Sequence, residues 1–170
     1  MIEMRYDGNI FLLPDGPEAA AVTTNGMIKK DGSAVMGAGI ARYARDNLEG
    51  IDGILGALLR VSGNHARFLG SFYDRNRETA GLPPMVFAMA FPTKDDWRDP
   101  SDPALIRRSA AEAMHVAHVN NLRKVYMPAP GCSNGRLDYA SQVRPLLADI
   151  LSDTFVLCLP SGIYDTLPNT

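Results

Sequence analysis

Short apolar runs recur along the chain and are bounded by glycine, proline or polar residues. Such runs are typical of strands, and the almost wholly apolar residues 85–91, bounded by prolines, are typical of a strand at the centre of a sheet. On this basis we predict strands at residues 2–11, 19–24, 65–73, 85–91, 125–129 and 154–159.

Between several of these runs, apolar residues return every three or four positions, which is the period of an amphipathic helix. The clearest helix is predicted to begin at Asp102, a residue type favoured at the N-cap, with Pro103 at the first helical position. Its predicted buried stripe contains Ile106, Ala110, Ala113, Met114 and Ala117. Other helices are predicted at residues 37–48, 51–61 and 139–151, and a polar loop at residues 75–81.

The order of these elements predicts an α/β fold, with a mixed sheet that carries helices on both faces. Ligands of such sheets bind outside the carboxyl ends of the strands. Two glycine-rich segments and the residues 92–94 directly follow predicted strands. We therefore expect these three segments to meet at one edge of the sheet.

The composition adds limits on the class of protein. A chain of 170 residues with 46% hydrophobic residues is expected to form a single domain over residues 1–170, and its net charge of −2 gives no reason to expect nonspecific binding of nucleic acid. We expect no membrane span, because no apolar run reaches about 18 residues, and no signal peptide, because the N-terminus carries acidic residues early and lacks an apolar core. The two cysteines, Cys132 and Cys158, lack metal-ligand spacing. A cytoplasmic protein without a metal or cofactor is expected.

The first glycine-rich segment comprises residues 22–26 and 35–41, and the second comprises residues 125–136. Glycine allows close approach of the backbone to a bulky anion, and a helix N-terminus offers free N–H groups to it. Neither segment is a dinucleotide fingerprint or a P-loop. Each could instead be a turn that only redirects the chain. Together, the two could hold a diphosphate between them.

Five motifs in one order make the pattern more specific. They are Gly8-Asn9-Ile10, Thr24-Asn25, Met36-Gly37-Ala38-Gly39-Ile40-Ala41, Pro92-Thr93-Lys94-x-x-Trp97-Arg98 and Gly131-Cys132-Ser133-Asn134-Gly135-Arg136-Leu137-Asp138. This order resembles the macrodomain family, and within it the branch of the DNA ADP-ribosyl glycohydrolase antitoxins and the terminal ADP-ribose-protein glycohydrolases; small phage-type macrodomains are similar too. The resemblance spans about residues 2–159 and implies a three-layer α/β/α sandwich with a mostly parallel sheet, across whose strand ends ADP-ribose lies.

The resemblance also implies a set of ligand contacts. Asn9 would lie by the adenine, followed by Ile10, and Thr24 and Asn25 would lie by the distal ribose. The first loop would wrap the diphosphate and distal ribose with Met36, Gly37, Ala38, Gly39 and Ile40. The second loop would face the diphosphate with Pro130, Gly131, Cys132, Ser133, Asn134, Gly135 and Arg136.

The resemblance implies that Lys94 is the catalytic lysine, which would attack or polarise the anomeric carbon of the distal ribose. Burial or a cation such as Lys29, Lys30 or Arg136 would have to lower its pKa before it could be a nucleophile. Alternatively, it could be a surface lysine that lies over an apolar strand end. Asp138 could be a general base or simply the N-cap of the following helix.

Two departures from the family pattern affect the expected substrate. Gly135 stands where the protein-directed glycohydrolases have an aspartate. The antitoxin branch also has a glycine at this position. The insert Lys29 to Ser33 is expected to reshape the entrance of the site.

Three other features have simpler interpretations. His115 and His118 are expected on a helix surface without further metal ligands, and Cys132 as a packed small residue rather than a nucleophile. Trp97 could line the site or cap the core.

The expected function is an ADP-ribosyl glycohydrolase, monomeric, with ADP-ribose or ADP-ribosylated DNA or protein as partner. The alternatives are an ADP-ribose 1″-phosphate phosphatase, a non-catalytic reader of ADP-ribose, and a scavenger of a nucleotide signal.

Overall fold

A six-stranded mixed sheet forms the centre of the computed structural model, which describes residues 1–168. The spatial order of the strands is β1-β6-β5-β2-β4-β3. All neighbouring strands are parallel except β3, which pairs antiparallel with β4 at one edge. The strands are β1 (Ile2–Arg5), β2 (Ala19–Thr24), β3 (Arg67–Tyr73), β4 (Met85–Pro92), β5 (Val125–Pro128) and β6 (Phe155–Leu159).

Helices connect most of these strands, and a last helix follows β6. In chain order they are α1 (Gly39–Asn47), α2 (Ile51–Ser62), α3 (Arg75–Thr79), α4 (Pro103–Val119), α5 (Arg144–Leu147) and α6 (Ser161–Tyr164). A 3-10 turn covers Ile10–Leu12, and a π-helical turn over Tyr139–Val143 precedes α5. None of the helices within residues 1–168 has the length and apolar character needed to cross a lipid bilayer.

Two hydrophobic clusters pack on the two faces of the sheet, because side chains of a strand alternate between its faces. On β4, Met89 and Phe91 belong to the cluster that α4 and α5 cover. Ala88 and Ala90 alternate with them along the strand and belong to the cluster on the other face, which α1 and α2 cover. The molecule is therefore a three-layer α/β/α sandwich, and the predicted fold class is confirmed.

The predicted strand and helix bounds agree with the structure in most places. For α4, the Asp102 carboxylate accepts a hydrogen bond from the Ala104 N–H at 2.9 Å, as expected of an N-cap, but Met114 of the predicted stripe is only half-buried. Three predictions were wrong. The first strand ends at Arg5, because Asn9 starts the 3-10 turn, and the predicted loop 75–81 contains α3, capped by Asp74. The predicted helix 139–151 begins as a π-helix and ends at Leu147.

Candidate functional site

A cavity of about 1260 Å³ crosses the carboxyl ends of the five parallel strands. Residues that follow β1, β6, β5, β2 and β4 line it in that spatial order, among them Asn9, Pro160, Gly131, Asn25 and Lys94. Strands in a sheet are about 4.8 Å apart, so the four steps from β1 to β4 span about 19 Å. The cavity is therefore long enough for an extended dinucleotide-like ligand, with the β1 end and the β4 end far apart.

The first glycine loop faces the cavity at the start of α1. Ala38 is the N-cap of α1 and makes no side-chain capping bond, and Gly39 has a left-handed φ of +54°. The first N–H groups of a helix have no partner within the helix, so they are available to an anion here. Asn25 fixes the start of this loop, because its Nδ2 donates to the Val35 carbonyl and its Oδ1 accepts from the Met27 N–H, each at 3.0 Å.

The second glycine loop is held by close packing at two glycines. Gly131 has φ of +78°, and a Cβ on it would lie 2.9 Å from Ile106 Cδ1. A Cβ on Gly135 would overlap the Ser101 hydroxyl and the main-chain oxygen of Gly131. The Ser101 N–H also donates to the Gly135 carbonyl at 2.9 Å. A Cβ at Gly135 would overlap main-chain atoms and so require the loop to move, and the positive φ at Gly131 strains any residue other than glycine there.

Lys94 is buried directly after β4, with 8% of its surface exposed. Its Nζ donates a hydrogen bond to the main-chain carbonyl of Asn134 at 3.2 Å, which joins the β4 end to the second glycine loop. Burial lowers the pKa of the Lys94 amine from its ordinary value of 10.5, and the positive charge of Arg136 lowers this pKa further. Of the three cations considered for this effect, Arg136 is the one that acts on Lys94.

The fold is similar to that of several known structures. No protein-family model matches the sequence, and no curated protein is significantly similar to it. Among solved structures, the macrodomain of Mycobacterium tuberculosis DarG superposes with a TM-score of 0.71 at 23% identity, covering 94% of this chain and 97% of that one. The macrodomain of Thermus aquaticus DarG gives a TM-score of 0.60 at 22% identity, covering 94% and 96% of the two chains. The chain has the macrodomain fold.

A larger structure shares this macrodomain fold in one part. Thermosipho africanus DarTG, solved in complex with ADP-ribose, matches with a TM-score of 0.66 at 19% identity over 85% of this chain. The present chain spans 38% of the length of that protein.

Most of the predicted site residues line the macrodomain cavity. Lys94 does so together with Asn9, Ile10, Thr24, Asn25, Gly37, Ala38, Gly39, Ile40, Gly131, Cys132, Ser133, Asn134, Gly135 and Arg136. Three do not. Met36 is a core residue at 1% exposure, Pro130 is buried, and Asp138 lies outside the lining.

Asp138 is the N-cap of the helical turn that follows it. One carboxylate oxygen accepts from the Ser141 N–H at 2.8 Å and from the Ser141 hydroxyl at 2.5 Å. These hydrogen bonds lower the pKa of Asp138, which makes it a weaker base. The capping role, offered as the alternative for this residue, is the one that the geometry describes.

The insert does not form the entrance of the cavity. The Lys29 N–H donates to the Ser33 carbonyl at 2.8 Å and closes a turn. This turn packs so closely on α2 that a Cβ added to Gly56 would overlap the Gly32 carbonyl oxygen. Residues 27–34 do not line the cavity. The expectation that the insert reshapes the site was therefore wrong, since the turn folds away onto α2.

Three other residue sets have positions that bear on their predicted roles: Cys132, the pair His115 and His118, and Trp97. Burial raises the pKa of the Cys132 thiol to about 12, so the thiol stays protonated at neutral pH and is a poor nucleophile. His115 and His118 are exposed on α4, and among residues 1–168 no group of three or more His, Cys, Asp or Glu could hold a metal ion. Trp97 lines the cavity at 56% exposure and does not cap the core.

Sequence reasoning missed several lining residues. Thr93 and Ser101 are buried beside Lys94, and Tyr6, Asp7, Pro160 and Ile163 line the β1 end. The hydroxyl oxygens of Ser101 and of Thr24 are buried without a hydrogen-bond partner in the described part of the chain. The position of Thr93 next to Lys94 was a usable signal, whereas Pro160 and Ile163 reach the cavity only because β6 pairs with β1.

Proposed function

We propose that the cavity binds ADP-ribose and that the protein hydrolyses the bond at the distal ribose of ADP-ribosylated substrates, with Lys94 as the catalytic residue. The observation that carries this proposal is the buried Lys94 amine with its lowered pKa, at one end of a cavity that two glycine loops border. The macrodomain fold, shared with a structure that holds ADP-ribose, supports the choice of ligand.

The proposed orientation follows from the two ends of the cavity. The adenosine lies at the β1 end near Asn9, and the diphosphate lies between the N-terminus of α1 and the second loop, where main-chain N–H groups stabilise its charge. The distal ribose then reaches the β4 end, with its anomeric carbon at Lys94. Asn25, which is fixed at both ends of its amide, contributes a rigid wall at the ribose.

The chemistry uses the neutral form of Lys94. The amine attacks the anomeric carbon, and the new carbon–nitrogen bond forms as the bond to the leaving group breaks. The proton released from the amine passes to the leaving group. Water then cleaves the carbon–nitrogen bond, which restores the amine and releases ADP-ribose. Burial and Arg136 favour this mechanism because both increase the neutral fraction of Lys94.

The test separates chemistry from binding. Lys94→Ala is expected to lower turnover of ADP-ribosylated thymidine or glutamate substrates by at least about 100-fold, in line with loss of a nucleophile, while ADP-ribose still binds. Lys30→Ala is the matched control, since Lys30 is exposed and outside the cavity. Unchanged turnover in Lys94→Ala would exclude the lysine mechanism. Binding without turnover of any substrate by the wild type would indicate a reader or scavenger.

A further inference from the structure

The main chain at Lys94 is held by a side chain from another part of the fold. Lys94 lies two residues beyond the end of β4, and its carbonyl accepts a hydrogen bond from Asn64 Nδ2 at 3.1 Å. Asn64 lies between the end of α2 and the start of β3, and it does not line the cavity. With the bond from its amine to the Asn134 carbonyl at 3.2 Å, Lys94 is held at both its main chain and its amine.

Two acceptors determine the orientation of the Asn64 amide. Its Nδ2 donates to the Asp95 carboxylate at 2.8 Å as well as to the Lys94 carbonyl, so both of its N–H groups are used. A reversed amide would place an oxygen against two acceptors. The Oδ1 of Asn64 is buried and has no hydrogen-bond partner in the described part of the chain, which carries a free-energy cost. The fold therefore keeps the bond to Lys94 although the other half of the amide is unsatisfied.

The segment that carries Asn64 is itself fixed from two sides. On one side, Arg108 of α4 donates to the Asn64 carbonyl, and the carboxylate of Glu112, one turn further along α4, accepts from the Ala66 N–H at 2.8 Å. On the other side, a Cβ built on Gly26 would lie 3.0 Å from Asn64 Nδ2. The amide thus has little room to move, and it offers the main chain of Lys94 a fixed point of attachment.

We propose that Asn64 is a positioning residue, which fixes the main chain at Lys94 and thereby sets where the Lys94 amine meets the substrate. A lysine amine is carried on a flexible four-carbon stem, so its place is defined only when the start of the stem is also held. Displacement of a reacting group by about 1 Å can lower the rate by about 100-fold. The inference rests on the proposed function, because Asn64 acts through the amine that is proposed to react.

The test uses two variants and three measurements. Asn64→Ala removes the donor, and Asn64→Asp keeps the size but places an oxygen against the carbonyl of Lys94 and the carboxylate of Asp95. In both, kcat for ADP-ribosylated thymidine or glutamate substrates should fall at least about tenfold, while the Kd of ADP-ribose by calorimetry changes less than about twofold. A Lys94 amine that is less confined beside Arg136 has a higher pKa, so the inflection of kcat/KM should move to higher pH.

Asn120→Ala is the matched control. Asn120 also donates from Nδ2 to a main-chain carbonyl, that of Val116 at 2.9 Å, but it does so at the C-terminal end of α4 and outside the cavity. This variant should keep the wild-type kcat and the wild-type inflection, whatever it loses in thermal stability.

Each other outcome overturns the inference. Wild-type kcat and inflection in folded Asn64→Ala, beside an inactive Lys94→Ala, would do so while leaving the proposed function intact. A loss of ADP-ribose affinity in parallel with kcat, or failure of both Asn64 variants to fold in thermal melts, would show general structural support instead of positioning. Full turnover by Lys94→Ala would contradict the proposed function, and the inference would fall with it.

Discussion

Lys94 Nζ lies 3.2 Å from the main-chain oxygen of Asn134, although the two residues are 40 positions apart. The contact joins the carboxyl end of β4 to the loop that follows β5. It brings the buried amine to the same place as the second glycine loop, with the side chain of Arg136 near enough to act on its charge. Any movement of that loop should therefore affect Lys94 as well as the ligand.

The pH dependence of turnover should report the lowered pKa of Lys94. The neutral amine is the reactive form, so kcat/KM should rise with pH and level off, with an inflection below 10.5. Arg136→Gln removes the charge that disfavours the ammonium, so the pKa of Lys94 rises and the inflection moves to higher pH. Turnover of this variant at pH 7 should then fall relative to wild type.

Arg42→Gln is the control for the pH experiment, because it removes the same charge from the outer side of α1, away from the cavity. Its inflection should match that of the wild type. An Arg136→Gln profile that coincides with the wild-type profile would show that Arg136 does not act on the titrating group.

Close packing at Gly135 should make the second loop intolerant of even one methyl group. Gly135→Ala would overlap Ser101 and Gly131, so we expect a loss of about 1–3 kcal/mol in the free energy of unfolding and at least about a tenfold loss of ADP-ribose affinity. Gly53→Ala is the control. Gly53 lies within α2 with open space around it, and alanine there should increase the free energy of unfolding by about 0.5–1 kcal/mol. Thermal melts and calorimetry measure both effects, and wild-type affinity in Gly135→Ala would refute the packing argument.

Arg77 should be a structural support of the β1 end of the cavity. It is 2% exposed, and its guanidinium donates to the Phe11 carbonyl at 2.6 Å and to the Pro83 carbonyl at 2.8 Å. Arg77→Met would leave both carbonyls without these donors, which should cost about 3 kcal/mol in the free energy of unfolding by urea. Arg77→Lys, which keeps the charge but has one nitrogen for two carbonyls, should lose less. Equal urea midpoints for wild type and Arg77→Met would contradict this assignment.

The sequence contains enough information to predict the fold and much of the cavity lining. The apolar run at β4, the Asp102-Pro103 start of α4 and the glycine loops are local signals, and they were placed correctly. The elements that were predicted wrongly depend on tertiary contacts, which the hydrophobic periodicity of the sequence does not encode. The helix α3 is polar in sequence and forms because Asp74 caps it and Arg77 is buried under it.

Two single residues show the same dependence on contacts with other segments. Asp138 follows the second loop in sequence, yet Ser141 draws its carboxylate into a cap. Asp7 lines the cavity although it was not among the predicted site residues, and its carboxylate accepts from the Ser161 N–H, which lies 154 positions away. Sequence spacing cannot reveal which distant segment will hold a side chain.

The central claim is that ADP-ribose lies across the five strand ends and over the first glycine loop, and calorimetry with Gly37→Tyr tests it most directly. Gly37 lines the cavity, and no atom lies within 4 Å of a Cβ built on it, so the variant should fold and yet fill the ligand space. Gly53→Tyr, equally open but remote from this cavity, is the control. We predict saturable one-to-one binding of ADP-ribose to the wild type and to Gly53→Tyr, and none to folded Gly37→Tyr. Undiminished binding to Gly37→Tyr would contradict the account.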